Sequence, residues 1–511
     1  MPDRFKNTLL QRNEFVYTFE LVPGREALGK AQEDMLDFAE KAAEKGIIHA
    51  LSLTDNPGGH PTLAPDVMGM EIAKTGIDPI VHFTCKDKNR NQIESALHAL
   101  NRMGINNLLA MTGDFPLEGF EGRAKPVFDL DSVQLLNLMS SMNRGLEFEG
   151  RMPGKRIKLP PANIFKGCAV SPFKKLESET MVQYYKLLKK VRAGADFVVT
   201  QVGFDARKFD ELLRYMRYCD INIPVLGNVY VLNFPAARAM NRKSVPGCVV
   251  TDDLCRLCED ESKSSDKGKA ARLERAAKQI ALLCGIGYNG AHIGGPNLKY
   301  EDIEWIIGRS GELVSDWMSL VHDFDYPQPE GFYLYSKDSE TGLNSKNFSE
   351  ERSFPDKSPG YAAMRFLHRL LFVQGTAAYR TARTFFRKID DSLLKGPFNG
   401  IEHIIKSISS SCRNCGDCAL AETAFLCPQS QCPKSLLNGP CGGSSEGWCE
   451  VYPGKRQCIY VRAYDRLKSC NEEASLKEEY VPPRNWALDQ TSSWTNYFLG
   501  RDHHQAKPCD R

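Results

Sequence analysis

Eight short apolar runs, each followed by an amphipathic stretch, fill residues 16–312 and leave few folds open to this chain. The runs fall at residues 16–22, 50–55, 79–85, 107–114, 165–171, 197–201, 225–230 and 290–295, with helical patterns such as 33–44, 92–102, 179–192 and 270–284 between them. Regular alternation of strand and helix is the pattern of a parallel sheet with crossover helices. Eight such units over about 300 residues match an α/β fold of the (β/α)8 TIM-barrel type. The barrel is expected to occupy residues 1–325. Glu20, Thr54, Asp55, Thr84, Asp114 and Gln201 sit at or near the carboxyl ends of their runs. Any one of them could merely cap the next helix, but that end of a barrel is where ligand and catalytic residues gather.

A second feature lies far from the first. Eight cysteines follow one another as Cys412-x2-Cys415-x2-Cys418-x8-Cys427-x4-Cys432-x8-Cys441-x7-Cys449-x8-Cys458. The opening residues Met1 to Lys6 are polar and show no signal-peptide pattern, so a cytoplasmic location is expected. In a reducing compartment such thiols read as metal ligands rather than disulfides. The Cys-x2-Cys-x2-Cys start resembles iron–sulfur spacing more than the paired knuckles of zinc. Eight thiolates suffice for two four-cysteine clusters, expected as 4Fe–4S, or for one cluster plus a zinc site. Purely structural zinc is the alternative, because thiolate-rich sites alone do not separate the two metals. Cys470 and Cys509 stand outside the pattern. Cys255-x2-Cys258 has no second pair nearby and reads as incidental.

At 511 residues the chain exceeds one ordinary core. A net charge of +2 argues against a nucleic-acid footprint, and no run of eighteen apolar residues predicts a membrane span. Small-molecule chemistry is the default. The charged, Ser-rich stretch 255–266 is expected as a solvated loop. Pro and Gly punctuation marks 326–360 as a linker. Helical patterns at 362–389 and 401–408 then open a cysteine-rich domain over 361–475, with 476–511 as an extended tail.

Particular strings carry a resemblance. Phe19-Glu20-Leu21-Val22-Pro23, His82-x-Thr84, Thr112-Gly113-Asp114 and the stretch from Ala193 to Gln201 together resemble methylenetetrahydrofolate reductase, a family of flavin-bearing (β/α)8 barrels. Cys427-Pro428-x3-Cys432-Pro433-Lys434-x3-Asn438-Gly439-Pro440-Cys441-Gly442-Gly443 resembles the cysteine-rich C-terminal domain that accompanies some of these reductases. The resemblance implies a role for each matching residue. Glu20 would be the acid that protonates the departing amine as the methylene bridge opens, which calls for a pKa raised by burial. Asp114 would be the carboxylate near flavin and pterin. Thr54, His82, Thr84, Asp114 and Lys190 would hold the flavin, and Gln201 would bind the folate pterin through an amide that donates and accepts. Phe234 would close over the substrate. All the flavin residues precede residue 325, so the barrel alone is expected to keep the cofactor.

The pattern also departs from the family. Ser171-Pro172-Phe173-Lys174-Lys175 stands where Tyr and His commonly grip the flavin nucleotide, and Gln183 replaces an Asp. FMN is therefore an alternative to FAD. Val202-Gly203-Phe204 replaces paired aromatics. The implied activity is reduction of 5,10-methylenetetrahydrofolate to 5-methyltetrahydrofolate, with electrons from NAD(P)H, a ferredoxin or a flavoprotein relayed or supported by the cysteine domain. The alternative is a folate-binding methyl-transfer scaffold or corrinoid-protein partner without reductase activity. Homo-oligomerisation is left open.

Overall fold

In the barrel the pleat of each strand sorts its side chains inward or outward. A computed structural model describes residues 3–150, 152, 154–350 and 359–505. Its eight parallel barrel strands are β1 (Val16–Leu21), β2 (Ala50–Leu53), β3 (Asp78–Thr84), β4 (Asn107–Met111), β5 (Phe165–Val170), β6 (Phe197–Thr200), β7 (Val225–Tyr230) and β8 (Gly290–Gly294). They close in the order β1-β8-β7-β6-β5-β4-β3-β2, with Val16 opposite Gly290 and Thr18 opposite Ala50. Each coincides with an expected run.

Alternation with period two sends Val16, Thr18 and Glu20 of β1 to the barrel axis and Phe19 and Leu21 to the helices. Phe19 stacks on Phe38 of the helix Lys30–Lys45 at 4.6 Å between ring centroids. Ile80, His82 and Thr84 of β3 and Gly290, His292 and Gly294 of β8 face the axis in the same way. The axis is apolar at its lower end, where Val16, Ala50, Ile80, Leu109, Phe165, Phe197 and Leu226 form one cluster. The amino-terminal helix Arg4–Gln11 plugs that end with fully buried Phe5 and Leu9. Phe5 meets Phe197 edge-on at 5.4 Å. At this end the buried Asp78 accepts from Phe5 N at 2.8 Å and fixes the plug, while the polar side chains that line a cavity gather at the carboxyl end.

Three expectations about the connecting segments are corrected. The stretch expected as a solvated loop at 255–266 is in part a helix, Asp252–Glu261. Its charges face outward while Leu254 and Cys258 pack with Met240 and Val250, and Glu261 pairs with Arg275 at 2.7 Å. The front of the 326–360 linker is a hairpin, Tyr335–Lys337 with Asn344–Phe348, clamped to the helix Ala206–Tyr218. Asn344 Nδ2 donates to Asp210 at 2.9 Å, and Tyr333 donates to Asp205 at 2.5 Å. Its glycine is a turn residue, Gly342 at φ +75°, rather than a sign of freedom. Residues 351–358 lie outside the described residues.

The tail is not extended either. Residues 481–505 fold back, and the helix Ser493–Leu499 packs Tyr497 and Phe498 against Tyr379 and Phe386. These belong to a layer of three helices, Pro359–Leu371, Ala377–Asp390 and Lys395–Ser410. Cys509 lies outside the described residues.

The cysteine-rich domain is fastened to the barrel through buried ions. Asp131 Oδ1 caps the helix Ser132–Arg144 by accepting from Val133 N and Gln134 N. Its Oδ2 accepts from Leu437 N, Asn438 N and Asn438 Nδ2 at 3.2, 2.8 and 3.0 Å. Asp131→Ala removes the cap and strands three buried donors, so it is expected to cost about 3 kcal/mol or more. Urea unfolding together with limited proteolysis checks this. A wild-type midpoint with an unchanged cleavage pattern would show that Asp131 does not couple the two parts.

Candidate active site and cysteine centres

The carboxyl ends of the barrel strands open into one cavity of about 440 Å³. Glu20, Thr54, Asp55, His82, Thr84, Asp114, Lys190 and Gln201 all line it. Phe234 is not in the lining. It opens the helix Phe234–Asn241 and lies under Arg238, 5.5 Å from guanidinium to ring.

Glu20 faces histidines, and the raised pKa expected for it is not found. His292 Nε2 lies 3.5 Å from Glu20 Oε2, and His292 Nδ1 lies 2.8 Å from Thr18 Oγ1. Burial pushes the Glu20 carboxyl up, but the His292 hydrogen bond and the neighbouring imidazoles of His82 and His292 outweigh it and leave it below its ordinary range. His82 sits 2.6 Å from Ser52 Oγ, fixed by its neighbour on β2. Asp55 accepts from Thr84 N at 3.1 Å, Thr84 Oγ1 at 2.7 Å and Lys88 Nζ at 2.8 Å, so it positions Thr84. Asp114 accepts from Gly58 N at 2.8 Å and ties the β4 and β2 loops together. Gln201 holds its own Oε1 on Val202 N at 2.9 Å.

Several buried groups in the lining have no protein partner. Thr54 Oγ1, Ser171 Oγ and Gln183 Nε2 are buried without a hydrogen bond. Lys190 donates to Ala169 O at 2.5 Å, and burial pushes its amino group down to about 8. Among the described residues no carboxylate forms an ion pair with it. Orphaned buried polar atoms call for an occupant. A cofactor rich in acceptors, with an anionic arm, fits this set of hydroxyl, amide and ammonium donors. Ser171 and Gln183, read from the sequence as departures, are thus part of the wall.

The cavity is completed from outside the barrel. Lys434, Cys441, Gly442, Gly443 and Glu450 form its remaining wall. Lys434 donates to Gly113 O at 2.7 Å and pairs with Glu450. Lys174 donates to Gly442 O and Ser444 O at 2.5 and 2.6 Å, and Lys186 to Pro440 O at 2.9 Å. A barrel cut at residue 325 would lose this wall and leave two buried lysines, Lys174 and Lys186, without those acceptors. The expectation that the barrel suffices does not fit this arrangement. The sequence signal for the missed wall was the Asn438–Gly443 string, and for His292 its alternation with Gly290 and Gly294.

The eight cysteines divide into two quartets in chain order. Cys412, Cys415, Cys418 and Cys427 line one small cavity, with Lys406 Nζ 3.4 Å from Cys418 Sγ. Cys432, Cys441, Cys449 and Cys458 line another. Cys441 belongs both to this quartet and to the barrel mouth. Among the described residues every cysteine is unpaired, and no three of the sulfurs lie within 4.8 Å of one another.

The neutral histidine of the mouth yields a pH dependence. Burial pushes His82 from 6.5 down to about 4. Between these values the unfolded chain takes up a proton that the folded chain refuses, so stability falls as pH falls through the window and levels off below it. From about pH 7 to about pH 5, wild type should lose about 2 kcal/mol more than His82→Gln. Urea midpoints at both values measure it. Equal losses would mean that His82 is not held neutral.

Comparison with known proteins follows the same two parts. A family model described as Methylenetetrahydrofolate reductase matches residues 5–302, and one described as Methylene-tetrahydrofolate reductase C terminal matches residues 393–487. The chain is 23% identical over 292 residues to the probable methylenetetrahydrofolate reductase (NADPH) of Caenorhabditis elegans, covering 55% of this chain and 40% of that protein. It is 22% identical over 315 residues to methylenetetrahydrofolate reductase 1 of Schizosaccharomyces pombe, covering 61% and 48%. With methylenetetrahydrofolate reductase (NADH) 1 of Zea mays it shares 26% over 229 residues, covering 42% and 35%. The chain thus spans less than half the length of these relatives. A Clostridium thermocellum protein solved with two copies of 5-methyl-5,6,7,8-tetrahydrofolic acid is 12% identical, covers 61% of this chain and 99% of its own, and has a TM-score of 0.41. No helix of the described residues is long and apolar enough to cross a membrane. With its family match running over residues 5–302 and its closed barrel carrying the expected strand-end residues, the chain belongs to the methylenetetrahydrofolate reductase family.

Proposed function

We propose that the chain reduces 5,10-methylenetetrahydrofolate to 5-methyltetrahydrofolate on a bound flavin, and that its cysteine domain passes electrons to that flavin. The observation that carries the reading is the single cavity where Glu20, Asp114 and Gln201 share a space with orphaned donors and with Cys441. FAD is the cofactor of the family reading, with FMN as the alternative. Thr54, His82, Thr84, Asp114 and Lys190 are the residues assigned to hold it, with Ser171 and Gln183 beside them. When bound, the flavin supplies the hydride to the methylene carbon.

The protein's share is proton management and placement. Opening the methylene bridge needs a proton on the departing amine nitrogen, and Glu20 is assigned to deliver it. Its carboxyl is held low in the free site, so water exclusion by the bound molecules is needed to raise it. His292, between Thr18 and Glu20, is placed to return the proton afterwards. Gln201 and Asp114 orient the pterin. For Glu20→Gln we expect flavin binding and flavin reduction to survive, with reoxidation by methylenetetrahydrofolate slowed by at least ~10²-fold. Stopped-flow flavin absorbance separates the two half-reactions. Unchanged reoxidation would remove Glu20 from the mechanism.

The quartets support iron–sulfur rather than zinc. The Cys412-x2-Cys415-x2-Cys418 start of the first quartet has the spacing of iron–sulfur ligands rather than of paired zinc knuckles. Cys432, Cys441, Cys449 and Cys458 would hold the cluster beside the flavin, and Cys412, Cys415, Cys418 and Cys427 the outer one. Such a relay suits a one-electron donor of the ferredoxin or flavoprotein class. Cys441→Ser is expected to lower the iron content after anaerobic purification and to slow flavin reduction by such a donor. Dithionite should bleach the visible absorbance of the wild type. Stoichiometric zinc without iron in that protein would overturn the assignment.

A further inference from the structure

A second cluster of metal-ligating side chains lies away from the barrel mouth and outside both cysteine quartets. Glu422, His503 and His504 each offer one ligand atom, and these atoms all lie within 4.8 Å of one another. His503 Nε2 is 3.1 Å and His504 Nε2 is 2.8 Å from the same oxygen, Glu422 Oε1. The far side of each ring is engaged by a different carboxylate. Asp417 Oδ1 lies 2.5 Å from His503 Nδ1, and Asp502 Oδ2 lies 3.0 Å from His504 Nδ1. The side chains of Glu422 and His503 are each only 8% exposed, and Asp417 and Asp502 only 3% and 1%.

We infer that Glu422, His503 and His504 form a binding site for a divalent cation of the zinc class. A carboxylate on Nδ1 orients an imidazole and directs its Nε2 lone pair at a metal, the usual outer support of a histidine ligand. Here both rings carry that support, and both Nε2 atoms converge on one carboxylate. The competing arrangement is a pair of imidazolium ions bound to three carboxylates. That network engages only Oε1, and Glu422 Oε2 is left buried without a partner. A cation between the two Nε2 atoms and Glu422 gives Oε2 a ligand to bind. Two imidazole nitrogens and a carboxylate suit zinc or a similar borderline ion, whereas calcium and magnesium prefer oxygen alone.

The position suggests the role. Asp417 and Glu422 lie on the loop between Cys415 and Cys427, while His503 and His504 follow the helix Ser493–Leu499. Bound there, the ion staples the carboxyl-terminal segment to the loop that carries the first cysteine quartet. It stands apart from the electron relay, so its test does not depend on that reading.

The experiment uses the full chain purified anaerobically, loaded with zinc alone and freed of excess by gel filtration. Zinc and iron are counted in wild type and in Glu422→Gln, and the zinc K-edge spectrum is recorded. The proposal expects one zinc fewer per chain in the variant with iron unchanged, and nitrogen and oxygen scatterers at about 2.0–2.1 Å in the wild type. Equal zinc in both proteins, no retained zinc in wild type, or sulfur-only scattering would each overturn it and leave an ion-pair network. If Glu422→Gln fails to fold, the wild-type spectrum decides alone.

Discussion

The contact on which the rest of the molecule depends is the seat of the Asn438–Gly443 string on the barrel. Four buried charged side chains make it, and none of them is neutralised by simple pairing across the contact. Asp131 collects backbone and side-chain N–H groups, while Lys174 and Lys186 give their protons to backbone carbonyls of Pro440, Gly442 and Ser444. Lys434 reaches the other way, from the string to Gly113 O. Burying a charge is tolerable only when its hydrogen bonds are complete. Each of these ions is complete only while string and barrel are together. The arrangement therefore couples barrel and cysteine domain energetically, and it places Cys441 in the wall of the mouth.

A second constraint acts inside the barrel. Period-two alternation along each strand lets a single sequence build an apolar plug and a polar mouth on one axis. Val16, Thr18 and Glu20 climb from one to the other within five residues. The same rule places His82 above Ile80 and His292 above Gly290. The hydrogen bond from His292 does most to offset burial, which is why Glu20 sits below rather than above its ordinary range.

Beyond the barrel, polar segments are ordered by partners distant in sequence. The hairpin at 335–348 is ordered by Asp205 and Asp210 of a barrel helix. The tail is ordered by Glu402, which accepts from Ser493 Oγ at 2.7 Å, and by aromatic packing on Tyr379 and Phe386. Their Pro, Gly and Ser content reads as freedom when the partners are not in view.

The strands, their order of appearance and the residues at their carboxyl ends were legible in the sequence, because periodicity and strand-end position are local properties of the chain. So were the eight cysteines and the strings that carry the family resemblance. Their division into quartets was not, since spacing alone allowed several groupings. Nor was the cysteine domain's place in the mouth wall, or the role of Ser171 and Gln183 beneath it. Phe234 shows the opposite limit, an aromatic matched by motif whose ring the structure sets outside the cavity lining. What the tertiary structure alone decided is the environment of each charge. Lys174, Lys186, Lys434 and Asp131 look like ordinary surface residues in sequence, and only three-dimensional proximity supplies the partners that let them be buried.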